Sequence, residues 1–347
     1  MKKFIVAVAA SAMLFTGSAI AADWNFYGSA RVSTFVTEAD QSGTETDNFA
    51  QELQGNARIG ATVKVSDELA GGFEYGASSG NANIRKLYGE WDFGAGTFLV
   101  GQTYTPLNWF YSNQVFGTDN DLLAQGGVYS GRQAMLRLKF GGFQIAAVSP
   151  DSNTSRVSGA SGSATTEVNF PAIEAKYTAK FDKLTVQVAG GYNSYEINDS
   201  GNNYDVDSYV VALGGKLDLG PAFINANIYF GQNAGNLMAV SVDGDNDWDD
   251  GYAAISGTDL IDNDAMGFLL VGGYTFNDMF TVEAGYGYAE TELDNNTTED
   301  EVASYYINAT ITMAPGVFVV PEIGVIDGEE DGDTDTTYYG AKWQINF

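Results

Sequence analysis

Between residues 23 and 347 stretches in which apolar and polar side chains alternate at every second position recur along the whole chain, and after residue 21 no apolar run reaches eighteen residues. A chain with that pattern makes strands whose two faces meet different surroundings, and it cannot cross a bilayer as a helix. "NARIGATVKV" sets Ala57, Ile59, Ala61, Val63 and Val65 against Asn56, Arg58, Thr62 and Lys64. "YYINATITM" sets Tyr305, Ile307, Ala309, Ile311 and Met313 against Tyr306, Asn308, Thr310 and Thr312. Alternation alone leaves open which face is wet. A soluble sandwich turns its apolar face inward, whereas a membrane barrel turns it outward.

The connections favour the second arrangement. Short ones ("GAG", "GG", "FDK", "DLGP", "APG") take turns with longer ones at 37–53, 104–131, 150–170, 197–204, 232–264, 292–300 and 328–334. This is the rhythm of a barrel with turns at one rim and loops at the other. Aromatic residues collect toward strand ends (Trp24, Phe26, Tyr177, Phe181, Tyr274, Phe276, Tyr305, Trp343, Phe347), as an interfacial girdle requires. Between the breaks lie sixteen strands, from 23–36 and 54–65 at the start to 317–327 and 335–347 at the end. The expected fold is therefore all-β: a 16-stranded antiparallel transmembrane β-barrel.

The opening "MKKFIVAVAASAMLFTGSAIAA" has two lysines, a short apolar core and the small-x-small sequence Ala19-Ile20-Ala21. These are the marks of a cleaved export signal over residues 1–21, leaving one domain over 22–347. There is no cysteine and no histidine, which removes disulfides, Ser-His-Asp catalysis and histidine-liganded metals. An enzyme is not expected, nor is a cofactor. Net charge is −29 overall. Without the two lysines of residues 1–21 it is near −31, from 14 basic and 45 acidic residues. Nucleic acid is excluded as a partner. The acidic runs "DGDNDWDDG" (243–251) and "DGEEDGDTD" (327–335) do not complete a calcium-loop pattern, so they read as solvated loop charge with no resident metal.

The chain ends "TYYGAKWQINF". Gly340, Trp343, Ile345 and Phe347 resemble the terminal signal of bacterial outer-membrane barrels. The last strand must also pair with the first, so that no polar edge meets lipid. Taken with the opening segment, the stretch "ADWNFYGSARVSTF" and the sixteen strands, the chain resembles the general porins of Gram-negative bacteria. That resemblance implies outer-membrane localisation, contact with lipid and lipopolysaccharide, delivery by the barrel-assembly machinery and a homotrimer.

It also gives meaning to the connection "YTPLNWFYSNQVFGTDNDLLAQGGVYSG" (104–131), which joins the fifth and sixth strands. Porins fold a loop here into the barrel as a constriction. Pro106, Leu107, Trp109, Phe110, Val115, Phe116, Leu122 and Leu123 call for burial. The longer connection at 232–264 carries Asp243, Asp245, Asp247, Asp249 and Asp250, and is expected to stay in water. Parity places Arg31, Arg58, Lys86 and Arg137 on the lumen face, along with Glu74, Glu90, Asp92, Glu174, Glu283 and Glu322. By the resemblance, the basic wall faces Asp119 and Asp121 of the inserted loop across the eyelet.

The function expected is a passive diffusion channel for ions and small hydrophilic solutes. Its weak cation preference would come from acidic loops outweighing the basic wall. Two alternatives remain: a structural or adhesive barrel whose acidic loops bind a partner, and a sugar-type selective porin. Lumen aromatics for the latter are scattered over Tyr27, Phe35, Tyr88, Tyr195, Tyr229 and Tyr306.

Overall fold

Strands of up to nineteen residues, laid edge to edge, account for most of the chain. The computed structural model describes residues 22–41, 43–78, 81–242, 250–294, 299–328 and 334–347. The strands are β1 (Asp23–Gln41), β2 (Thr44–Leu53), β3 (Arg58–Lys64), β4 (Leu69–Ser78), β5 (Asn81–Asp92), β6 (Thr97–Tyr104) and β7 (Arg132–Phe140). There follow β8 (Phe143–Val148), β9 (Thr165–Glu167), β10 (Ala172–Phe181), β11 (Leu184–Asp199), β12 (Asn202–Asp218) and β13 (Ala222–Gln232). The last are β14 (Ala254–Ser256), β15 (Asp259–Ile261), β16 (Asn263–Asn277), β17 (Phe280–Leu293), β18 (Glu299–Ala314), β19 (Val317–Asp327) and β20 (Thr334–Asn346).

Among the described residues one antiparallel sheet of eighteen strands closes on itself, and β14 and β15 form a separate small hairpin. The sheet has sixteen staves, because β2 and β3 share one stave and β9 and β10 share another. The seam is β1 against β20, in register from Ser29 opposite Asn346 to Gln41 opposite Thr334. Closure leaves no stave without two neighbours at membrane depth.

Side-chain burial settles the orientation. Outward positions such as Leu136, Val211, Phe230, Leu270, Ile307, Ile323 and Trp343 are exposed. Inward positions such as Ser208, Asn225, Asn227, Glu283, Asn308 and Glu322 are buried. A protein with exposed isoleucine and buried asparagine is inverted relative to a soluble fold, which suits an oily exterior. The aromatics near strand ends lie on this outer face.

Tight turns at one rim reuse one device. Asp92 accepts a hydrogen bond from the Gly94 N–H at 2.7 Å, and Asp218 from the Gly220 N–H at 2.8 Å. Both glycines have φ +88°, a region that costs a side chain strain.

The other rim departs from expectation. The stretch 37–53 is mostly strand: β1 runs on to Gln41 and pairs β2 from Gln41–Thr44 down to Val32–Leu53. Likewise β11 and β12 run on through 197–204, with Asp199 opposite Asn202. Polar, acidic sequence there hid continued ladder pairing above the membrane. Much of both acidic runs, 243–249 and 329–333, lies outside the described residues, as do residues 1–21.

Candidate functional site: a constricted lumen

Residues 105–131 fold into the barrel as expected. Leu107, Trp109, Tyr111, Val115, Leu122 and Val128 are buried against the inner wall. Trp109 stacks on Tyr111 with ring centroids 5.7 Å apart. Phe116 lies flat on Tyr338 at 3.9 Å and edge-on to Phe35 at 5.3 Å. Phe110 is the exception, 39% exposed and facing the lumen.

Three wall carboxylates hold the loop by its backbone. Glu174 accepts from the Leu107 N–H (2.9 Å) and the Ser130 hydroxyl (2.9 Å). Glu283 accepts from the N–H and the side-chain amide of Asn113, both at 2.7 Å. Glu322 accepts from the successive N–H groups of Val115 (2.7 Å) and Phe116 (2.8 Å). A loop without regular partners would strand these donors in a buried place. Each charge-assisted bond contributes about 1.5–3 kcal/mol. Glu174, Glu283 and Glu322 therefore face inward as parity requires but are buried anchors, so they add little charge to the water path.

The basic wall gathers around a fourth buried carboxylate. Glu74 meets Arg85 Nε at 2.7 Å, Lys86 Nζ at 3.2 Å and Arg58 at 3.6 Å, and accepts from the Tyr27 hydroxyl at 2.9 Å. Arg85 and Lys86 are adjacent in sequence, yet both point inward. The register explains it: Glu74 opposes Lys86, but Tyr75 opposes Ile84, so Arg85 is the extra residue of a β-bulge. Arg137 lies 3.7 Å from Glu90. Arg132 has no carboxylate partner among the described residues. It donates to the hydroxyls of Tyr104 (2.9 Å) and Tyr129 (3.3 Å) and sits over the Tyr104 ring at 5.1 Å.

Asp119 does not face the basic wall across open space; it is docked on it. Arg31 reaches it at 2.6 Å and Lys342 at 3.0 Å, with the Asn56 amide at 2.8 Å and the Gln54 amide at 3.4 Å. The loop tip turns tightly here, with positive φ at Gly117, Asp119, Asp121 and Leu122. Asp121 has no ion pair among the described residues and lines the open lumen. Burial inside the barrel, reinforced by the nearby Asp119, raises its carboxyl pKa well above the ordinary range.

A second loop enters the lumen. Residues 234–238, 240 and 242 are buried, and Leu237, Met238 and Val240 join the same apolar cluster as Leu107, Trp109 and Leu122. The Ala239 N–H donates to the Tyr129 carbonyl at 2.8 Å, and the Ser241 N–H to that of Ala124 at 3.2 Å. The expectation that 232–264 stays in water is thus corrected for its first third. "AGNLMAVSV" is apolar, and burial on the inserted loop outweighs the acidic stretch that follows.

At the loop tip the lumen keeps an open cavity of about 670 Å³. Arg31, Arg58, Arg85 and Arg132 line one side, and Asp119, Asn120, Asp121 and Gln125 line the loop side. Of the anticipated residues, Arg31, Arg58, Asp119 and Asp121 line this cavity. Lys86 and Arg137 lie on the same wall, tied to Glu74 and Glu90. Trp109 and Phe116 serve as packing between loop and wall. Arg85, Arg132 and Lys342 were not anticipated. Arg85 is displaced by the bulge. Arg132 starts its strand and swings off the pleat. Lys342 has the right parity but stands alone late in the chain. Phe35, Tyr195, Tyr229 and Tyr306 are buried beneath loops, so they form no continuous lumen track.

At the seam, Gly340 lies opposite Phe35. Trp343 and Ile345 face outward, and the Trp343 indole donates to the Thr34 hydroxyl at 3.0 Å. Phe347 pairs with Gly28 through both backbone bonds.

A family profile for Gram-negative porins matches residues 7–332. No curated protein matches the chain. Among solved structures, the outer-membrane channel DcaP of Acinetobacter baumannii superposes with TM-score 0.76 at 19% identity, covering 95% of this chain and 99% of that one. The trimer form of OmpT, an outer-membrane protein of Vibrio cholerae, gives 0.60 at 17% identity over 93% and 99%. An anion-selective porin from Comamonas acidovorans gives 0.58 at 12% identity over 94% and 100%. At these identities the likeness is one of fold.

Proposed function

The chain belongs to the Gram-negative porin family and is an outer-membrane channel, not an enzyme, and we propose that it carries ions and small hydrophilic solutes by passive diffusion. The observation that carries this reading is a closed barrel whose lumen is narrowed, but not filled, by an anchored loop, leaving a charged aqueous cavity. Residues 1–21 serve as the cleaved export signal of a single barrel domain, 22–347. The terminal stretch with Gly340, Trp343, Ile345 and Phe347 serves as the assembly signal for the barrel-assembly machinery. Lipid and lipopolysaccharide surround the outer wall.

Ion preference follows from two opposed charge sets. The wide rim is acidic, with Glu38, Asp40, Glu45 and Asp47 on the first hairpin and Glu290, Glu292 and Asp294 farther round. Such a rim concentrates cations over a Debye length of about 10 Å at 0.1 M salt. The eyelet leans the other way. Arg31, Arg58, Arg85, Lys86, Arg132, Arg137 and Lys342 stand against Glu74, Glu90, Asp119 and Asp121. The rim governs at low salt, giving a weak cation preference that fades as salt rises.

A homotrimer is supported by the first hairpin. β2 pairs with β1 and has no ladder on its other edge among the described residues. Exposed Phe49 and Leu53 flank it, beside an apolar groove lined by Ala30, Ala57, Ile59 and Ala82. An open edge that carries exposed apolar side chains calls for a covering surface. The OmpT neighbour is described in a trimer form.

Reconstitution into a planar bilayer tests the reading. Discrete ohmic steps with a cation-signed reversal potential at 0.1 M salt are expected. A barrel that inserts but never conducts would favour the adhesive alternative.

A further inference from the structure

The eyelet cavity has an unusual corner. Arg132 uses one guanidinium nitrogen on two tyrosine hydroxyls, and no carboxylate among the described residues pairs with it. Tyr104 also takes a longer hydrogen bond from Arg85 at 3.5 Å, so two guanidinium groups share one phenol. Against the same ring stands Phe110, 5.0 Å away and edge-on, and Phe110 also meets Tyr129 at 6.1 Å. Phe110 is the one large apolar side chain of the inserted loop that is more than a third exposed. Arg132, Arg85, Tyr104, Tyr129 and Phe110 all line the cavity. A forked cation that no carboxylate engages thus stands beside an exposed aromatic face, and one ligand can use both.

We infer that the eyelet holds a docking station for a small organic oxyanion, whose carboxylate or phosphate sits on Arg132 while its apolar body lies against Phe110. The inference rests on the channel reading above and deepens it by naming a solute class. Guanidinium binds planar oxyanions through parallel N–H···O bonds, and Arg132 has donors to spare. Arg85 adds positive potential although Glu74 holds its Nε. Asp121 on the loop side limits how long an anion stays, which suits passage rather than storage.

The test uses single channels of the full-length barrel in 1 M KCl, where a Debye length of about 3 Å screens the acidic rim. Probes are benzoate, phenyl phosphate, benzyl alcohol and inorganic phosphate. Benzoate and phenyl phosphate are expected to interrupt the current reversibly, and which acts more strongly assigns the preferred headgroup. Benzyl alcohol should do nothing, and inorganic phosphate should act far more weakly than phenyl phosphate. Arg132→Gln should shorten the interruptions about tenfold, the scale of one charge-assisted hydrogen bond. Phe110→Ala should shorten them for the aromatic anions and leave inorganic phosphate unchanged. Normal steps without anion-dependent interruptions overturn the station alone. So do interruptions indifferent to both substitutions. Absence of any conductance step overturns the channel reading and the station together. Should Arg132→Gln fail to assemble, Phe110→Ala at its exposed position decides the matter: benzoate interruptions of unchanged length overturn the station.

Discussion

Phe347 and Gly28 close the barrel on each other. The Phe347 N–H donates to the Gly28 carbonyl at 3.0 Å, and the Gly28 N–H to the Phe347 carbonyl at 2.6 Å. The Phe347 ring occupies the space where a side chain on residue 28 would begin. Gly28→Val should therefore expel the ring and weaken the seam, at about 1–3 kcal/mol for forced overpacking. The folded band on unheated gels should convert at lower temperature. Deleting Phe347 should do more, collapsing outer-membrane levels, because recognition as well as pairing is lost. Equal effects of the two changes would reduce Phe347 to packing.

Glu74→Gln removes the carboxylate that offsets Arg58, Arg85 and Lys86. One unit charge acting on an ion at about 10 Å in water amounts to about 0.4 kcal/mol, or about twofold in permeability ratio. Reversal potentials should move toward anions by that amount. Arg85→Gln should move them the opposite way.

Glu322→Ala strands the N–H groups of Val115 and Phe116, at about 1–3 kcal/mol for each buried donor. The barrel should still form, since the change lies on one stave. The loop tip should come loose, giving larger and noisier conductance steps. Glu322→Gln, which keeps an acceptor oxygen, should be milder.

Leu237→Asp with Met238→Asp places two unpaired charges in the cluster that binds the second loop to the first. The second loop should leave the lumen and single-channel conductance should rise, with folded-band stability nearly unchanged. Unaltered conductance would show that residues 234–242 do not limit the water path.

Asp121 titrates above the ordinary carboxylate range, chiefly through burial and then through Asp119. A raised pKa means that, as pH falls, its charge is lost at a higher pH than that of an ordinary carboxylate. The eyelet should then drift toward anions as pH falls. Reversal potentials measured across pH should show this early drift in the wild type and not in Asp121→Asn.

Much of the barrel was legible because alternation, turn chemistry and loop rhythm are local and repeat sixteen times. The inserted loop was legible because Leu107, Trp109 and Leu122 are too apolar for an outer loop. What escaped depends on backbone irregularity or tertiary docking. A parity count cannot see that one extra residue at Arg85 turns a neighbour inward. Nor could it see that the lumen acids Glu174, Glu283 and Glu322 are consumed by backbone donors of a loop far away in sequence. The inward fold of 234–242 was masked by the acidic stretch behind it, whose charge dominated the reading of the whole connection.

The bulge at Arg85 makes the eyelet's chemistry depend on spacing as well as on residue identity. A one-residue deletion between Asn81 and Arg85 would restore an even ladder with every side chain of the eyelet still encoded. Arg85 would then face hydrocarbon unless the strand slid, and Glu74 would lose its closest cation. Among descendants of such a chain, a single-codon insertion or deletion in this strand is therefore a heritable change of pore charge that a comparison of aligned residue types would miss.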